Sequence, residues 1–229
     1  MAWRRPHGRT LWCFDLDNTL HQAGPWVFPH MNRAMTDYIV EHLGLPRDHA
    51  DALRVHYWQR YGSTLAGLMR HHGVNPHHFL DTTHRLPGLE PQVRGHRHDR
   101  RRLFRLPGRR VLLTNAPRDY AHRVLRALGL HRCFESVWSI EDLRMFGHWR
   151  PKPDGRLFKW LPVQWGVKPH HCVLVEDTLE HQKSARRAGF QTVWMQRWLK
   201  GSPAAAWAAL RGHRRPSYVN LRVRSLSRL

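Results

Sequence analysis

The most informative segment of this 229-residue chain is Leu11-Trp12-Cys13-Phe14-Asp15-Leu16-Asp17-Asn18-Thr19-Leu20. Its four leading apolar residues predict a strand buried on both faces, as in a parallel sheet. The two carboxylates follow directly, and in open parallel sheets ligands bind outside the carboxyl ends of the strands. Carboxylates so close together repel each other unless a positive charge compensates. Magnesium, which prefers oxygen ligands, is the natural candidate, although a simple turn or helix cap would also use such residues.

Four further apolar segments predict strands, and helical patterns separate most of them. The strands are expected at 111–115, 136–139, 172–175 and 191–194, with helices at 91–105, 118–128, 154–165 and 178–188. Strands that alternate with helices indicate a parallel α/β sheet, so a Rossmann-like core is expected. Near the end of the chain, 204–210 is a short helix candidate, and 218–223 is either an edge strand or part of a basic disordered tail.

A block with no strand signal separates the first strand from the rest of the sheet. Apolar residues recur there at helical spacing, as in Met31, Met35, Tyr38 and Ile39, and the pattern predicts about four helices between His30 and His84. We therefore expect a discontinuous core domain at 1–20 and 88–229, with an α-helical cap domain inserted at 21–87.

The chain is strongly basic, with a formal net charge of +21, 38 lysine and arginine residues and 20 histidines. Such a charge suits nucleic acid, a membrane surface or small anions. The basic residues are scattered, with the densest patch at 94–110, and no nucleic-acid-binding motif accompanies them. We expect small anions rather than nucleic acid as the main partner.

Cysteine usage and hydropathy bear on location. The three cysteines form no CxxC pair, which favours a reducing, cytoplasmic compartment. No apolar run reaches the length of a membrane span, so no membrane partner is expected. The sequence leaves the oligomeric state open.

Four short motifs stand at predicted strand ends or helix starts, in a fixed order. They are Asp15-x-Asp17, Thr114-Asn115, Lys152 between two prolines, and Glu176-Asp177. In this order they resemble the haloacid dehalogenase superfamily, whose phosphatases carry DxDxT as the first motif. The combination is far more specific than any single motif.

The resemblance implies a role for each motif residue. Asp15 would be the nucleophile that forms an aspartyl-phosphate, and Asp17 the general acid and base. Thr114, Asn115 and Lys152 would bind or orient the phosphoryl group, Thr114 and Lys152 also stabilising the transition state. The implied magnesium ligands are Asp15, the backbone carbonyl of Asp17, Glu176 and Asp177.

One position departs from the family pattern. Four residues after Asp177 the family usually has Asp or Asn, whereas this chain has His181. Histidine is a poor magnesium ligand, so the fourth motif is expected to be altered but not lost, because Glu176 and Asp177 remain.

The stretch 57–68, with Thr114-Asn115-Ala116 and 175–178, is similar to pyrimidine 5′-nucleotidases of the yeast and bacterial type. That similarity implies a nucleoside 5′-monophosphate as substrate. The candidate residues for substrate selection in the cap are His56, Tyr57, Tyr61 and Thr64. Helix packing is the other interpretation of this stretch.

Three other functions compete with the nucleotidase. A phosphatase or mutase for sugar phosphates would share the core and differ in the cap. A dehalogenase would need neither Asp17 nor the acids of the fourth motif. A basic nucleic-acid-binding protein with a relic core is the remotest alternative.

Overall fold

The computed structural model describes Trp3 and residues 6–198 and 215–229, so the helix predicted at 204–210 lies outside the described residues. The chain divides into two compact units. The first combines Met1–Gly24 with Val93–Leu229, and the second is Pro25–Gln92. The sequence predicts these boundaries between residues 20 and 21 and between residues 87 and 88. No helix in the described parts is both long and apolar enough to cross a membrane.

The first unit is built on a parallel sheet. The described strands are β1 Leu11–Phe14, β2 Arg109–Leu113, β3 Ser136–Trp138, β4 Arg144–Met145, β5 His148–Trp149, β6 Cys172–Glu176, β7 Gln191–Met195 and β8 Leu221–Val223. Six of them form one sheet in the order β3-β2-β1-β6-β7-β8, and every neighbouring pair in it is parallel. Strands β4 and β5 form a separate antiparallel hairpin. The predicted Rossmann-like α/β fold is confirmed.

Helices supply the second unit and the crossovers of the first. The described helices are α1 Val27–Leu43, α2 Arg47–Tyr61, α3 Thr64–His72, α4 Pro76–His84, α5 Asp99–Arg105, α6 Arg118–Ala127, α7 Gly155–Gln164 and α8 Leu179–Arg187. The first four make up most of the second unit, as the helical periodicity predicted. In the first unit Asp154 caps α7 by accepting a hydrogen bond from the backbone N–H of Arg156.

Strand β1 lies at the centre of the sheet, and its neighbours bring the polar strand ends together. Phe14 is in register with Leu112 of β2 and Val175 of β6. The residues that follow these strands therefore emerge at the same edge, as expected for parallel strands. All four residues of β1 are buried, which explains why its sequence is a continuous apolar run.

The core packs on the faces of the central strands. On one face Cys13, Leu113 and Leu174 pack with Leu157 and Phe158 of α7. Burying a leucine or phenylalanine side chain completely contributes roughly 1.5–3 kcal/mol, so this layer is a principal source of stability for the first unit.

A tight turn before β2 explains one glycine. Gly108 has φ +91°, and a Cβ atom there would lie 2.1 Å from the carbonyl oxygen of Thr10. Only glycine fits this close approach of backbone to backbone.

The predicted single helix at 91–105 is wrong. The structure has a 3₁₀ turn at Glu90–Gln92 and helix α5 only from Asp99. Between them the backbone pairs with the chain that follows β1: the N–H of Gln22 donates to the carbonyl of Arg94 at 2.8 Å, and His21 forms a β-bridge with Gly95. Tertiary pairing therefore overrides the helical propensity of the arginine-rich segment.

Other element boundaries also differ from the predictions. Helix α1 begins at Val27, inside the predicted loop 20–29, and the hairpin β4–β5 was not predicted. At the end of the chain β8 pairs with β7. The edge-strand prediction is confirmed there, and the disordered-tail alternative is wrong for Leu221–Val223.

Candidate active site

Three acidic side chains converge where β1 and β6 end. Asp15 follows β1, and its N–H donates to the carbonyl of Val175 at 3.0 Å. Glu176 is the last residue of β6, and Asp177 follows it. One carboxylate oxygen from each of Asp15, Glu176 and Asp177 lies within 4.8 Å of the others, and all three residues are buried. Such a cluster could hold a metal ion.

Lys152 is buried between the acids, with only 1% of its side chain exposed. Its Nζ donates to Asp15 Oδ1 at 2.8 Å, to Glu176 Oε2 at 2.7 Å and to the carbonyl of Leu113 at 2.9 Å. Burial by itself lowers the pKa of Lys152, but Asp15 and Glu176 outweigh it and the pKa is raised. The ammonium therefore stays charged and links the ends of β1, β2 and β6.

The pKa values of the three acids shift in different directions in this environment. Burial, and then the charge of Glu176, raise the pKa of Asp15 from 3.8 to about 7. Burial would also raise the pKa of Glu176, but Lys152 and then His181 lower it below its usual range. The pKa of Asp177 is raised well above its ordinary value by burial and by the charges of Glu176 and Asp15. One lysine does not neutralise three carboxylates, so a hard cation suits this set of oxygen donors.

Asn115 fixes the backbone of Lys152 at two points. Its Nδ2 donates to the carbonyl of Lys152 at 2.8 Å, and its Oδ1 accepts from the N–H of Lys152 at 2.9 Å. Thr114 is buried immediately after β2, and its Oγ1 accepts from the N–H of Ala116 at 3.0 Å. The loop after β2 therefore holds the loop that carries the lysine.

Asp17 lies two residues beyond Asp15, with 19% of its side chain exposed. Tyr120 of α6 donates its hydroxyl to Asp17 Oδ1 at 2.7 Å. The Nε2 atom of His21 lies 2.7 Å from the same oxygen. Burial, then Asp17, raise the pKa of Tyr120 well above its ordinary value, so the phenol keeps its proton.

Sequence reasoning missed His21, Tyr120 and Asn18. Asn18 has φ +56°, and its Oδ1 accepts from the N–H groups of Ala23 and Gly24 at 3.1 and 3.2 Å. It thereby folds the segment after β1. An asparagine in a turn before Gly-Pro was an available signal for Asn18, whereas no local pattern marks His21 or Tyr120.

The position that departs from the family pattern faces Glu176. His181 Nδ1 lies 3.0 Å from Glu176 Oε2, and 16% of the His181 side chain is exposed. The histidine therefore supports Glu176 by its proximity to the oxygen that also accepts from Lys152.

The remaining predicted residues belong to the second unit. Tyr57 and Thr64 are buried there: the hydroxyl of Tyr57 lies 2.8 Å from His72 Nε2, and Thr64 donates to the carbonyl of Arg54 at 3.0 Å. The Tyr61 hydroxyl lies 2.7 Å from His71 Nε2. His56 is exposed.

The family described as haloacid dehalogenase-like hydrolase matches residues 11–189, and the chain belongs to this family. It is 24% identical over 194 residues to Phosphate metabolism protein 8 of Saccharomyces cerevisiae, covering 79% of this chain and 60% of the yeast protein. The chain thus spans about 60% of the length of that curated relative.

Solved structures share the fold. A HAD phosphatase from Thermococcus onnurineus superposes with a TM-score of 0.62 at 19% identity, covering 95% of this chain and 94% of the other. The L-2-haloacid dehalogenase of Xanthobacter autotrophicus, with chloropropionic acid covalently bound, gives 0.56 at 17% identity and covers 95% of each chain. One neighbour is a phosphatase and the other a dehalogenase, so the likeness establishes the fold and does not choose between these reactions.

Proposed function

We propose that this protein is a magnesium-dependent phosphomonoesterase that works through an aspartyl-phosphate on Asp15, with a pyrimidine nucleoside 5′-monophosphate as substrate. The observation that carries the proposal is the Lys152 ammonium between Asp15 and Glu176, beside Asp177. A buried cation next to an acidic cluster suits a nucleophile that must approach a negatively charged phosphoryl group.

In the first step, a carboxylate oxygen of Asp15 attacks phosphorus and the ester P–O bond breaks. Asp17 gives its proton to the departing alkoxide, which leaves as an alcohol. Lys152 neutralises charge on the phosphoryl oxygens. Thr114, which follows β2, would donate its hydroxyl to one of them, and Asn115 keeps the lysine loop in position.

In the second step, water attacks the phosphorus of the aspartyl-phosphate. Asp17, now ionised, takes a proton from that water, and inorganic phosphate leaves as the carboxylate of Asp15 is restored. One side chain therefore serves as acid and then as base.

The residues present fit a magnesium ion. Asp15, Glu176 and Asp177 would provide carboxylate oxygens, and Asp17 its backbone carbonyl. When bound, the ion reduces the repulsion between the carboxylates and the phosphoryl group. His181 would support Glu176 and would not bind the ion.

Two other reactions compete with this proposal, and the site argues against only the first. Hydrolysis of a haloacid needs a carboxylate nucleophile but no acid to protonate the leaving halide, whereas Asp17 is held by two hydrogen-bonding side chains. Nor does it need Glu176 and Asp177. A sugar-phosphate phosphatase uses the same core chemistry, so only substrate choice separates it from a nucleotidase.

Substrate choice is assigned to the second unit by resemblance to the nucleotidase caps. The candidates remain His56, Tyr57, Tyr61 and Thr64, with the hydroxyls of Tyr57, Tyr61 and Thr64 already used within that unit. A cytoplasmic location belongs to the same proposal, since the three cysteines are buried and free.

The proposal is tested by phosphate release from a panel of nucleoside monophosphates and sugar phosphates, with Mg²⁺ and with EDTA. We expect Mg²⁺-dependent turnover, fastest for pyrimidine 5′-monophosphates. The Asp15→Asn variant, purified identically, is the control for contaminating phosphatases because it keeps the shape of the side chain and removes the nucleophile.

The outcomes separate the alternatives. Faster turnover of sugar phosphates would replace the nucleotide assignment and keep the mechanism. Equal activity of wild type and Asp15→Asn, or halide release from 2-chloropropionate without phosphatase activity, would refute it. Steeply salt-dependent binding of random DNA without turnover would favour the nucleic-acid alternative.

A further inference from the structure

We propose that His21 and Tyr120 are positioning residues that hold the Asp17 carboxyl in place for proton transfer to the leaving group. The inference rests on the proposed function, because it assigns a task to two residues that the four motifs do not include. It concerns the first chemical step, in which the alcohol departs.

Two side chains contact the same carboxylate oxygen of Asp17. Tyr120 Oη and His21 Nε2 each lie 2.7 Å from Asp17 Oδ1. The two residues come from different elements: Tyr120 from the first turn of α6, and His21 from the segment after β1. They also lie 3.4 Å from each other, Tyr120 Oη to His21 Nε2.

Both residues are removed from solvent. His21 is 0% exposed and Tyr120 is 1% exposed, whereas Asp17 keeps some exposure. Buried polar groups need partners. Within the described residues, the hydrogen bonds of the His21 ring are made by Nε2. The other ring nitrogen, Nδ1, is buried and has no hydrogen-bond partner among those residues. The histidine is therefore directed at Asp17 and Tyr120.

The functional consequence follows from the demands of general acid catalysis. A carboxyl on a loop can rotate about two side-chain bonds, and the acid must lie within hydrogen-bond reach of the leaving oxygen. Two donors on Oδ1 restrict that rotation before substrate arrives, which reduces the ordering required in the transition state. Losing one donor should therefore weaken proton donation more than phosphate binding.

The test compares two substrates with the same phosphoryl group and similar aryl groups. Phenyl phosphate has a basic leaving group that needs a proton, whereas p-nitrophenyl phosphate releases a stabilised phenolate that needs little help. The measured quantity is kcat/KM, which covers steps up to departure of the phenol and excludes hydrolysis of the aspartyl-phosphate.

We expect Tyr120→Phe and His21→Gln each to lower kcat/KM for phenyl phosphate by about tenfold and for p-nitrophenyl phosphate by less than about twofold. The reference variant is Asp17→Asn, which removes the general acid. It should also lose more with phenyl phosphate than with p-nitrophenyl phosphate, and its kcat/KM for phenyl phosphate should fall by about 10² to 10⁴. Tyr38→Phe is the matched control: it removes a buried phenol hydroxyl that lies 3.1 Å from His78 Nδ1 in the second unit, and it should leave both substrates unaffected.

A merely structural role would lower kcat/KM equally for the two substrates. If Tyr120→Phe and His21→Gln each lose as much with p-nitrophenyl phosphate as with phenyl phosphate, the inference is overturned. It is also overturned if neither variant loses activity with either substrate. If Asp17→Asn discriminates between the substrates and these two variants do not, only the positioning role fails. If Asp17→Asn itself does not discriminate, the proposed general acid fails, and the positioning role with it. If urea unfolding shows that Tyr120→Phe is strongly destabilised, the comparison of the two substrates with His21→Gln tests the inference.

Discussion

Replacing Asp15 by asparagine should stabilise the metal-free protein at alkaline pH. Asp15 is buried beside Glu176, and its pKa is raised from 3.8 to about 7. The folded state therefore binds more protons than the unfolded state between these values, and stability falls as pH rises through that window. Asparagine carries no charge, and its oxygen can still accept from Lys152.

The size of the effect follows from the pKa shift. Each unit corresponds to about 1.4 kcal/mol, so ionising Asp15 in the folded protein costs about 4 kcal/mol in total. About 2 to 3 kcal/mol of this falls between pH 5 and pH 8. The stability advantage of Asp15→Asn over wild type should grow by that amount, equivalent to roughly 5 to 10 °C in Tm for a chain of this length.

Urea unfolding in EDTA at several pH values from 5 to 8 measures this change directly. Saturating Mg²⁺ should remove the pH dependence, because a bound cation favours the ionised carboxylate. Asp51→Asn is the control, because hydrogen bonds from Arg54 and Thr36 lower the pKa of Asp51. The stabilisation that ionised Asp51 provides is therefore complete above pH 5, and the stability that Asp51→Asn loses relative to wild type should stay constant from pH 5 to pH 8. An advantage of Asp15→Asn that is flat, or that shrinks as pH rises, would refute the electrostatic reasoning.

Three further predictions concern catalysis. Lys152→Ala should lose about a hundredfold in kcat, because it removes a donor to the phosphoryl oxygens; turnover at the wild-type rate would exclude that role. Asp177→Asn should raise the Mg²⁺ concentration needed for half-maximal activity, since one anionic ligand becomes neutral; an unchanged titration would place the ion elsewhere. For wild type, kcat/KM with a pyrimidine monophosphate should fall with ionic strength more than kcat does, because screening weakens capture of the anion by a basic protein; a flat profile would exclude electrostatic steering.

The core of the candidate active site could be predicted because its signals are local. Asp15, Lys152 and Glu176 each stand next to an apolar strand or a capped helix, and parallel pairing brings such positions to one edge. Knowing the strand ends was therefore enough to predict which carboxylates meet, even though the exact bounds of several elements differ.

The support for that core could not be predicted in the same way. His21 is one of 20 histidines, in a segment whose Gly-Pro signal indicates only a loop. Tyr120 lies on the buried side of an amphipathic helix, where a tyrosine normally means packing. Their meeting at Asp17 depends on contacts 99 and 103 residues apart in the chain. The irregular 93–98 segment was missed for the same reason, since its backbone partners lie far away in sequence.

Under the proposed mechanism, the hydrogen bonds of Lys152 require an exchange of partners when substrate binds. An ammonium has three N–H groups, and those of Lys152 already reach Asp15, Glu176 and the carbonyl of Leu113. A phosphoryl oxygen can gain a full hydrogen bond from this lysine only when one of those acceptors gives it up. If Asp15 is the acceptor released, an arriving phosphate ester would itself free the Asp15 oxygen that acts as nucleophile in the proposed mechanism, and Lys152 would cover that oxygen until then.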